Sequence, residues 1–224
     1  MKTKNILLNG SASFEVTESY KTLGANLKFL ISKNDKCKII AINSCLPGEG
    51  KSTTSLNLAI TLAEDGNNVL VIDADMRAGR LNSFLSIEKS VGLSNFLCGE
   101  ISDVKEIIEK TEIKNLYIIQ NGDRPPNPIS LLSSKKMDEL LNFLSNEYDY
   151  IIIDTPPINV VSDVLALNDK IDGILFIIRE RKSNFNEVKK AISQFEFAKM
   201  NILGIVMNDV KVKKRNGKYS RYEK

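Results

Sequence analysis

Histidine is absent from this sequence and cysteine is scarce. Without histidine the chain can form no Ser-His-Asp triad, no H-E-x-x-H metal site and no phosphohistidine relay. The three cysteines, Cys37, Cys45 and Cys98, form no C-x-x-C pair, so the sequence indicates neither a disulfide framework nor a zinc site. Its chemistry must therefore rest on carboxylates, lysine, hydroxyl groups and bound metal.

Long hydrophobic runs are missing as well. No stretch of about 18 apolar residues occurs, and the N-terminal segment MKTKNILLNG lacks the apolar core of a signal peptide. We therefore expect a cytoplasmic protein. With 224 residues and 42% hydrophobic content, the chain suits a single domain over residues 1–210 with a substantial core.

Positive charge is concentrated at the C-terminus. The net charge is +3, but residues 211–224 carry +6 and the remainder carries −3. This distribution argues against a nucleic-acid-binding body, although a basic tail could contact RNA, acidic partners or an anionic membrane surface. The tail has no apolar periodicity, and we expect it to be flexible.

A glycine-rich segment, NSCLPGEGKST at 43–53, lies between an apolar run and a helical pattern. Glycine accepts positive φ, so Gly48 and Gly50 allow backbone N–H groups to converge on an anion. Lys51 would reach the β- and γ-phosphates, and Ser52 would bind magnesium at the start of a helix. Cys45 replaces the first glycine of G-x-x-x-x-G-K-[ST], where a small residue is tolerable. The predicted nucleotide-binding residues are Pro47, Gly48, Glu49, Gly50, Lys51, Ser52 and Thr53.

Short apolar runs alternate with helical patterns along the chain. The runs are typical of buried parallel strands and read KIIAINS (38–44), NVLVID (68–73), LYIIQ (116–120), YIIID (150–154), GILFIIR (173–179) and ILGIVMN (202–208). Helices are predicted at 16–32, 52–63, 135–146 and 184–198. The pattern predicts an α/β fold with a doubly wound, mostly parallel sheet and helices on both faces, of the P-loop NTPase type (deviant Walker, SIMIBI-like), with ligands at the carboxyl ends of the strands.

Aspartates end two of these runs. VLVIDADMR places Asp73 and Asp75 two residues apart, so in an extended chain both carboxylates lie on one side and can meet one magnesium–phosphate centre. Asp154 ends YIIID, the position expected of a Walker-B carboxylate. The plainer alternative is that each aspartate caps the turn or helix that follows its strand.

Together these segments resemble a known family, the bacterial tyrosine kinases (BY-kinases) of capsule and exopolysaccharide synthesis. The resemblance covers most of the chain. It rests on LPGEGKST as Walker A, VIDADMR as Walker A′, IIIDTPP as Walker B, and the lesser matches GLSNFLCGE, PPNPISLLSS, VVSDVLAL and LGIVMN. The resemblance implies a protein-tyrosine kinase that uses ATP and Mg²⁺ and regulates polysaccharide synthesis or export.

The resemblance also implies roles for individual residues. Lys51 and Ser52 bind the phosphates and magnesium, Asp73 and Asp75 serve the metal site and tyrosine activation, and Asp154 completes the metal shell. A tyrosine hydroxyl has a pKa of about 10, so a carboxylate within hydrogen-bond reach is a suitable proton acceptor. The sequence does not decide between Asp73 and Asp75 for this role.

Three other residues are further candidates for the site, and two of them have an alternative structural role. Arg77 is a further catalytic candidate. Asn208, at the end of the last predicted strand, either reads the adenine edge or is an ordinary turn residue. Asp163 matches the VSD element of the family or caps the helix that follows it.

Tyr219 and Tyr222 are the predicted phosphate acceptors, because only these tyrosines lie in the tail over residues 211–224. The family normally ends in a denser tyrosine cluster, and a solvated tail that happens to contain tyrosine is the alternative. From Asn208 to Tyr222 the extended chain spans up to about 46 Å. We therefore predict phosphorylation in trans, in a neighbouring subunit's site.

Ring-like self-association is implied through the N-terminal helix at 16–32. The family motif E-x-x-R-x-x-R-[ST]-N reads ESYKTLGAN here, so Glu18 and Asn26 remain while Lys21 and Gly24 replace the arginines. Lysine lacks the bidentate fork of arginine, and glycine costs a helix about 1 kcal/mol relative to alanine. We expect a weaker or differently built ring.

The remaining implied partners are a membrane-spanning activator of the polysaccharide co-polymerase type, which would hold the kinase at the inner face of the membrane, and an opposing tyrosine phosphatase; no nucleic acid is expected.

Two other functional classes share the motifs. A MinD/ParA-type ATPase switch would carry a signature lysine directly after the first loop position, where this chain has Leu46. A nucleotide-binding regulator without kinase activity is the other.

Overall fold

The computed structural model describes residues 12–30 and 37–211. The predicted acceptors Tyr219 and Tyr222 lie outside these ranges, as do positions 31 and 32 of the predicted N-terminal helix and nearly all of the predicted tail. Within the described residues, no helix is both long enough and apolar enough to cross a membrane.

Seven strands form one sheet in the order β3-β4-β2-β5-β1-β6-β7. Every neighbouring pair is parallel except β3 and β4. The bounds are β1 (Lys38–Ser44), β2 (Val69–Asp73), β3 (Ile108–Lys110), β4 (Leu116–Ile119), β5 (Tyr150–Asp154), β6 (Gly173–Arg179) and β7 (Ile202–Asn208). The six predicted strands are therefore confirmed, and the short antiparallel edge strand β3 is an addition.

Helices connect and cover these strands. Their bounds are α1 (Phe14–Leu30), α2 (Lys51–Glu64), α3 (Leu81–Leu85), α4 (Leu93–Cys98), α5 (Pro128–Leu132), α6 (Lys135–Leu144) and α7 (Phe185–Phe197), with 3-10 helices at Val104–Ile107 and Asp163–Lys170. Two of them begin at polar caps: the side chains of Ser134 and Asn184 accept hydrogen bonds from the first turns of α6 and α7.

The sheet is covered on both faces because successive residues of a strand point to opposite sides. In β1, Ile40 and Ile42 pack in one core cluster with Leu27 of α1 and the apolar residues of α2. Ala41, between them, packs in another cluster with α7. A third cluster holds apolar residues of α4 and α6 against β2 and β5. The doubly wound fold predicted from the sequence is confirmed.

The topology opens a crevice at the carboxyl end of β1. After β1 the chain forms β2, which lies on the β5 side of β1, and it later forms β6 on the other side. At such a reversal of strand order the connections diverge, which leaves room for a ligand beyond the strand ends. The glycine-rich loop follows β1 directly and lies in this crevice.

Candidate functional site

The loop between β1 and α2 has the backbone geometry of an anion cradle. Gly48 and Gly50 have φ of 74° and 101°, in the left-handed region that glycine adopts without strain. Lys51 is the first residue of α2 and is 8% exposed. The free N–H groups of a helix N-terminus and this lysine together favour a phosphate. Cys45, at the position of the usual first glycine, is fully buried in the core.

Glu49 stabilises this loop from within. Its side chain is fully buried, and Oε2 accepts a hydrogen bond from the backbone N–H of Leu46 at 2.7 Å. Oε1 accepts the hydroxyl of Ser183, in the turn after β6. Of the predicted nucleotide-binding residues, Glu49 thus uses its carboxylate to hold the loop, while its backbone remains part of the cradle.

Side chains at the end of β6 and just after it also hold the loop through its carbonyl groups. Arg179 Nη1 donates to the Gly48 carbonyl at 2.9 Å, and Lys182 Nζ donates to the Pro47 carbonyl. Sequence reasoning missed these two cations and Ser183, because a polar residue at a strand end or in a turn carries no signal of which loop it contacts.

Asn208, at the end of β7, lies against the same loop. Its Nδ2 donates to the Glu49 carbonyl at 3.0 Å, and its Oδ1 accepts the N–H of Asp209 at 2.9 Å. A Cβ atom placed on Gly50 would be 1.8 Å from Asn208 Nδ2. Gly50 is therefore required both by its positive φ and by this close contact.

Asp154 joins the glycine-rich loop to the strand-end carboxylates. Its Oδ2 accepts the hydroxyl of Ser52 at 2.6 Å and its Oδ1 accepts that of Ser55 at 3.1 Å. Ser55 was not among the predicted site residues. Its spacing of three from Ser52, which places both on one face of α2, is the signal that could have revealed it.

Asp73 lies beside Asp154, because the two residues are Cα partners at the ends of β2 and β5. Asp73 is 1% exposed; its Oδ1 accepts the N–H of Asp75 at 3.1 Å and its Oδ2 that of Leu81 at 3.3 Å. A Cβ on Gly79 would be 2.5 Å from Asp73 Oδ2, so this second glycine allows the loop to close over the carboxylate.

The loop after β2 is ordered by Asp75. Its Oδ1 accepts the N–H groups of Arg77 at 3.2 Å and Ala78 at 2.9 Å. Both predicted aspartates therefore cap the turn that follows their strand, as the plainer interpretation proposed, while lying at the edge of the nucleotide crevice. Arg77 directs its guanidinium to Asp163, which opens the 3-10 helix after β5.

Burial of these carboxylates changes their protonation. Burial, followed by the charge of Asp154, raises the pKa of Asp73 well above its ordinary value. Burial also raises the pKa of Asp154 to about 6, although Lys51 and the hydroxyls of Ser52 and Ser55 act in the opposite direction. Such a pair of like charges favours a neighbouring cation.

The residues fit Mg²⁺ held in part by other ligands. The predicted metal ligands Ser52, Asp75 and Asp154 offer hard oxygen atoms, which Mg²⁺ prefers. No three Asp, Glu or Cys side chains in the described ranges lie together as a metal cage. Mg²⁺ commonly keeps waters and binds phosphate oxygens, so an incomplete protein shell is compatible with a metal–nucleotide site.

Comparison with known proteins bears on this geometry. Residues 37–178 match the family model described as an AAA domain. The tyrosine-protein kinase CpsD of Streptococcus pneumoniae serotype 4 is 38% identical over 200 residues, which cover 88% of this chain and 86% of CpsD. The tyrosine-protein kinase YwqD of Bacillus subtilis is 37% identical over 200 residues, which cover 89% of this chain and 84% of YwqD.

Solved structures give the same result. The chimerical protein CapA2B2 superposes with a TM-score of 0.87 at 30% identity, covering 95% of this chain and 92% of that one. The septum site-determining protein MinD of Pyrococcus horikoshii, complexed with Mg-ADP, has a TM-score of 0.65 at 25% identity, covering 84% of this chain and 72% of MinD. MinD therefore shares the fold of this chain, but its sequence identity of 25% is lower than the 37% and 38% of the two kinases. The chain belongs to the bacterial tyrosine-protein kinases, built on an AAA-type P-loop domain.

Proposed function

We propose that this kinase transfers the γ-phosphoryl group of Mg-ATP to Tyr219 and Tyr222 of its own tail, in trans, and thereby regulates capsule or exopolysaccharide synthesis or export. The observation that carries the proposal is the hydrogen bond from Ser52 to Asp154, which links the phosphate-binding loop to the strand-end carboxylates. Mg-ADP in the structurally similar MinD supports the choice of nucleotide and metal.

In this mechanism the chain mainly aligns the reactants and neutralises charge. The N–H groups of the glycine-rich loop and the ammonium of Lys51 would hold the β- and γ-phosphates. Ser52, Asp75 and Asp154 would hold Mg²⁺, which when bound supplies charge neutralisation at the phosphate oxygens. Asn208 would lie near the base, since it ends β7 and donates a hydrogen bond to the Glu49 carbonyl of the glycine-rich loop.

Asp73 and Asp75 are the two candidates for the acceptor of the tyrosine proton. The raised pKa of Asp73 favours proton uptake, whereas its burial limits access. Asp75 is partly exposed and so is open to an incoming hydroxyl. The pH dependence of kcat in Asp73→Asn and Asp75→Asn separates them, because only loss of the base removes the ionisation on the acidic limb.

We also propose the partners that the family resemblance implies. A membrane-spanning activator would hold the kinase at the inner face of the membrane, with the basic tail adding attraction to anionic lipid. A tyrosine phosphatase would reverse the reaction. Self-association through α1 would be weaker than usual, since Lys21 forms its ion pair with Glu18 of the same helix. Size-exclusion chromatography with light scattering tests this; a tight, salt-resistant ring would contradict it.

A mixing experiment tests the central proposal. Lys51→Met with an intact tail is incubated with the double variant Tyr219→Phe/Tyr222→Phe, Mg-ATP and the activator's cytoplasmic segment. We expect phosphate on the tail of the Lys51→Met chain, detected by mass spectrometry of the C-terminal peptide, and none when Lys51→Met is incubated alone. Hydrolysis of ATP by the wild-type chain without any phosphotyrosine would favour a nucleotide switch.

A further inference from the structure

The ion pair between Arg77 and Asp163 joins two loops of the site. Arg77 Nε donates to Asp163 Oδ2 at 2.9 Å, and Nη2 donates to Oδ1 at 3.1 Å. Two parallel hydrogen bonds fix the relative orientation of both side chains, which a single contact does not. The pair thus ties the loop after β2 to the segment that follows β5.

Asp163 is the rigid end of this tie. It is fully buried at the start of the 3-10 helix Asp163–Lys170. The next residue, Val164, packs in the core cluster under α7, and Leu167 packs in the cluster under α4 and α6. Because the helix is held by two parts of the core, the carboxylate has a defined position.

Arg77 is the end that belongs to the site. Its side chain is 32% exposed, and its guanidinium forms the ion pair with the Asp163 carboxylate. Met76, immediately before it, is buried and fixes the backbone at that point. The chain beyond Met76 has no comparable apolar contact until Leu81, so residues 77–80 are held by polar contacts, among them the Asp75 carboxylate and the Arg77 side chain.

The orientation of Asp75 depends on the same residues. Its Oδ1 is held by the N–H groups of Arg77 and Ala78, at 3.2 and 2.9 Å. If the Arg77 guanidinium lost its partner, these two peptide groups would be held by the Asp75 carboxylate alone and would move more. The Asp75 carboxylate would then lose its fixed direction, even though its own backbone is held by Met76.

We propose that Asp163 is a positioning residue for phosphoryl transfer, which acts through Arg77 to hold the amide groups that orient the Asp75 carboxylate. This inference rests on the proposed kinase function of the site. Arg77 would then serve to orient Asp75. The loop after β2, which carries Asp75, and the segment after β5, which carries Asp163, would depend on each other.

Three variants separate positioning from general stability: Asp163→Asn, Arg77→Gln and the double variant. Arg77→Gln leaves a buried charge without a partner and should lower the melting temperature, whereas the double variant is neutral and should recover it. We expect kcat to fall between about tenfold and a hundredfold in all three, with KM for ATP within about twofold, since small displacements of reacting groups carry such costs. Recovery of kcat together with melting temperature in the double variant would overturn the inference.

Amide hydrogen exchange supplies a readout that does not need activity. In Asp163→Asn, the peptide covering residues 76–80 should exchange faster than in the wild type. Asp138→Asn is the matched control, because Asp138 pairs with Lys170 at the other end of the same 3-10 helix; it should change neither exchange nor kcat. If Asp163→Asn has the kcat and the amide exchange of the wild type, the positioning role is refuted and the proposed function is not. If the wild-type chain itself forms no phosphotyrosine, the proposed function is refuted too.

Discussion

Asp73 and Asp154 end neighbouring strands in register, and both side chains are almost completely buried, at 1% and 2% exposure. Burial raises the pKa of both carboxyl groups above its ordinary value, and the charge of Asp154 raises that of Asp73 further. The arrangement destabilises the empty protein and favours a bound cation. Binding energy and fold stability are therefore linked at this site.

Replacing Asp154 by Asn should stabilise the nucleotide-free and metal-free protein at neutral pH. The pKa of Asp154 is raised to about 6 from 3.8, so the folded state binds more protons than the unfolded state between these values. The contribution of Asp154 to the stability of the wild type must then fall as pH rises through that window. In Asp154→Asn this slope should be smaller and the melting temperature at pH 7.5 a few degrees higher. Thermal unfolding from pH 4 to 8 measures both.

The control for this prediction is Asp169→Asn, because Asp169 is an exposed aspartate away from the crevice. It should leave the pH profile unchanged. Asp154→Asn should also lose phosphotransfer, so a variant that is more stable and inactive is expected. The gain in melting temperature of Asp154→Asn over the wild type should be larger at pH 7.5 than at pH 4.5. A smaller gain at pH 7.5 would show that the buried charge is not the cause.

Replacing Gly50 by Ala should abolish nucleotide binding through a contact with Asn208. Alanine is strained at φ of 101°, and its Cβ would lie 1.8 Å from Asn208 Nδ2. Gly66→Ala is the matched control, since Gly66 has φ of 90° with no atom within 4 Å of a Cβ. We expect the control to cost about 1 kcal/mol from strain alone, and Gly50→Ala to cost more and to eliminate the calorimetric signal of Mg-ADP.

The double variant Gly50→Ala/Asn208→Ala isolates the steric part of that effect. Without the amide group, the nearest remaining atom, Asn208 Cβ, is 3.9 Å from the new methyl group. Stability should therefore return toward that of Asn208→Ala. Equal stability of the single and double variants would mean that backbone strain, and not the contact with Asn208, dominates.

Much of the fold and the position of the glycine-rich loop could be predicted because their signals are local. The run YIIID is apolar on both faces and ends in a carboxylate, which together indicate a buried strand and a site at its end. Gly48, Gly50 and Lys51 are adjacent in sequence, so their shared task is visible there. Strand β3 was missed because IEK is three residues long and two of them are charged.

Long-range contacts could not be predicted in the same way. Arg77 and Asp163 are far apart in sequence, and each is separately consistent with a turn or a cap, so only the fold reveals their pairing. The sequence identifies Glu49 as a residue of the glycine-rich loop. Its contact with Ser183 could not be predicted, because it depends on where β6 lies in the sheet. Apart from Ser52 and Asp154, which recognisable motifs placed at one site, the sequence identifies groups that act through neighbours in the chain and misses those that act between distant segments.

Replacing Gly24 by Ala should stabilise the protein. Gly24 is buried where α1 meets α2, and a Cβ there would lie 3.7 Å from Thr61 Cγ2 and 3.8 Å from Leu62 Cδ2, which are ordinary contact distances. Helix propensity favours alanine by about 1 kcal/mol, which corresponds to roughly 2–4 °C in melting temperature for a chain of this size. Thr22→Ala, on the exposed side of α1, is the control and should gain less. A decrease for Gly24→Ala would mean that α1 and α2 pack too closely for a methyl group.

Cys98 should be the one rapidly reacting thiol of the native protein. It is exposed, whereas Cys45 is buried and Cys37 is partly buried. Burial raises the pKa of both Cys37 and Cys45 to about 12, so at pH 8 almost none of either is the reactive thiolate. Titration with a disulfide reagent should show one fast thiol per chain, absent in Cys98→Ser, and all three after unfolding in denaturant. A second fast thiol that remains in Cys98→Ser would come from Cys37 or Cys45 and would show that burial does not protect that thiol from the reagent.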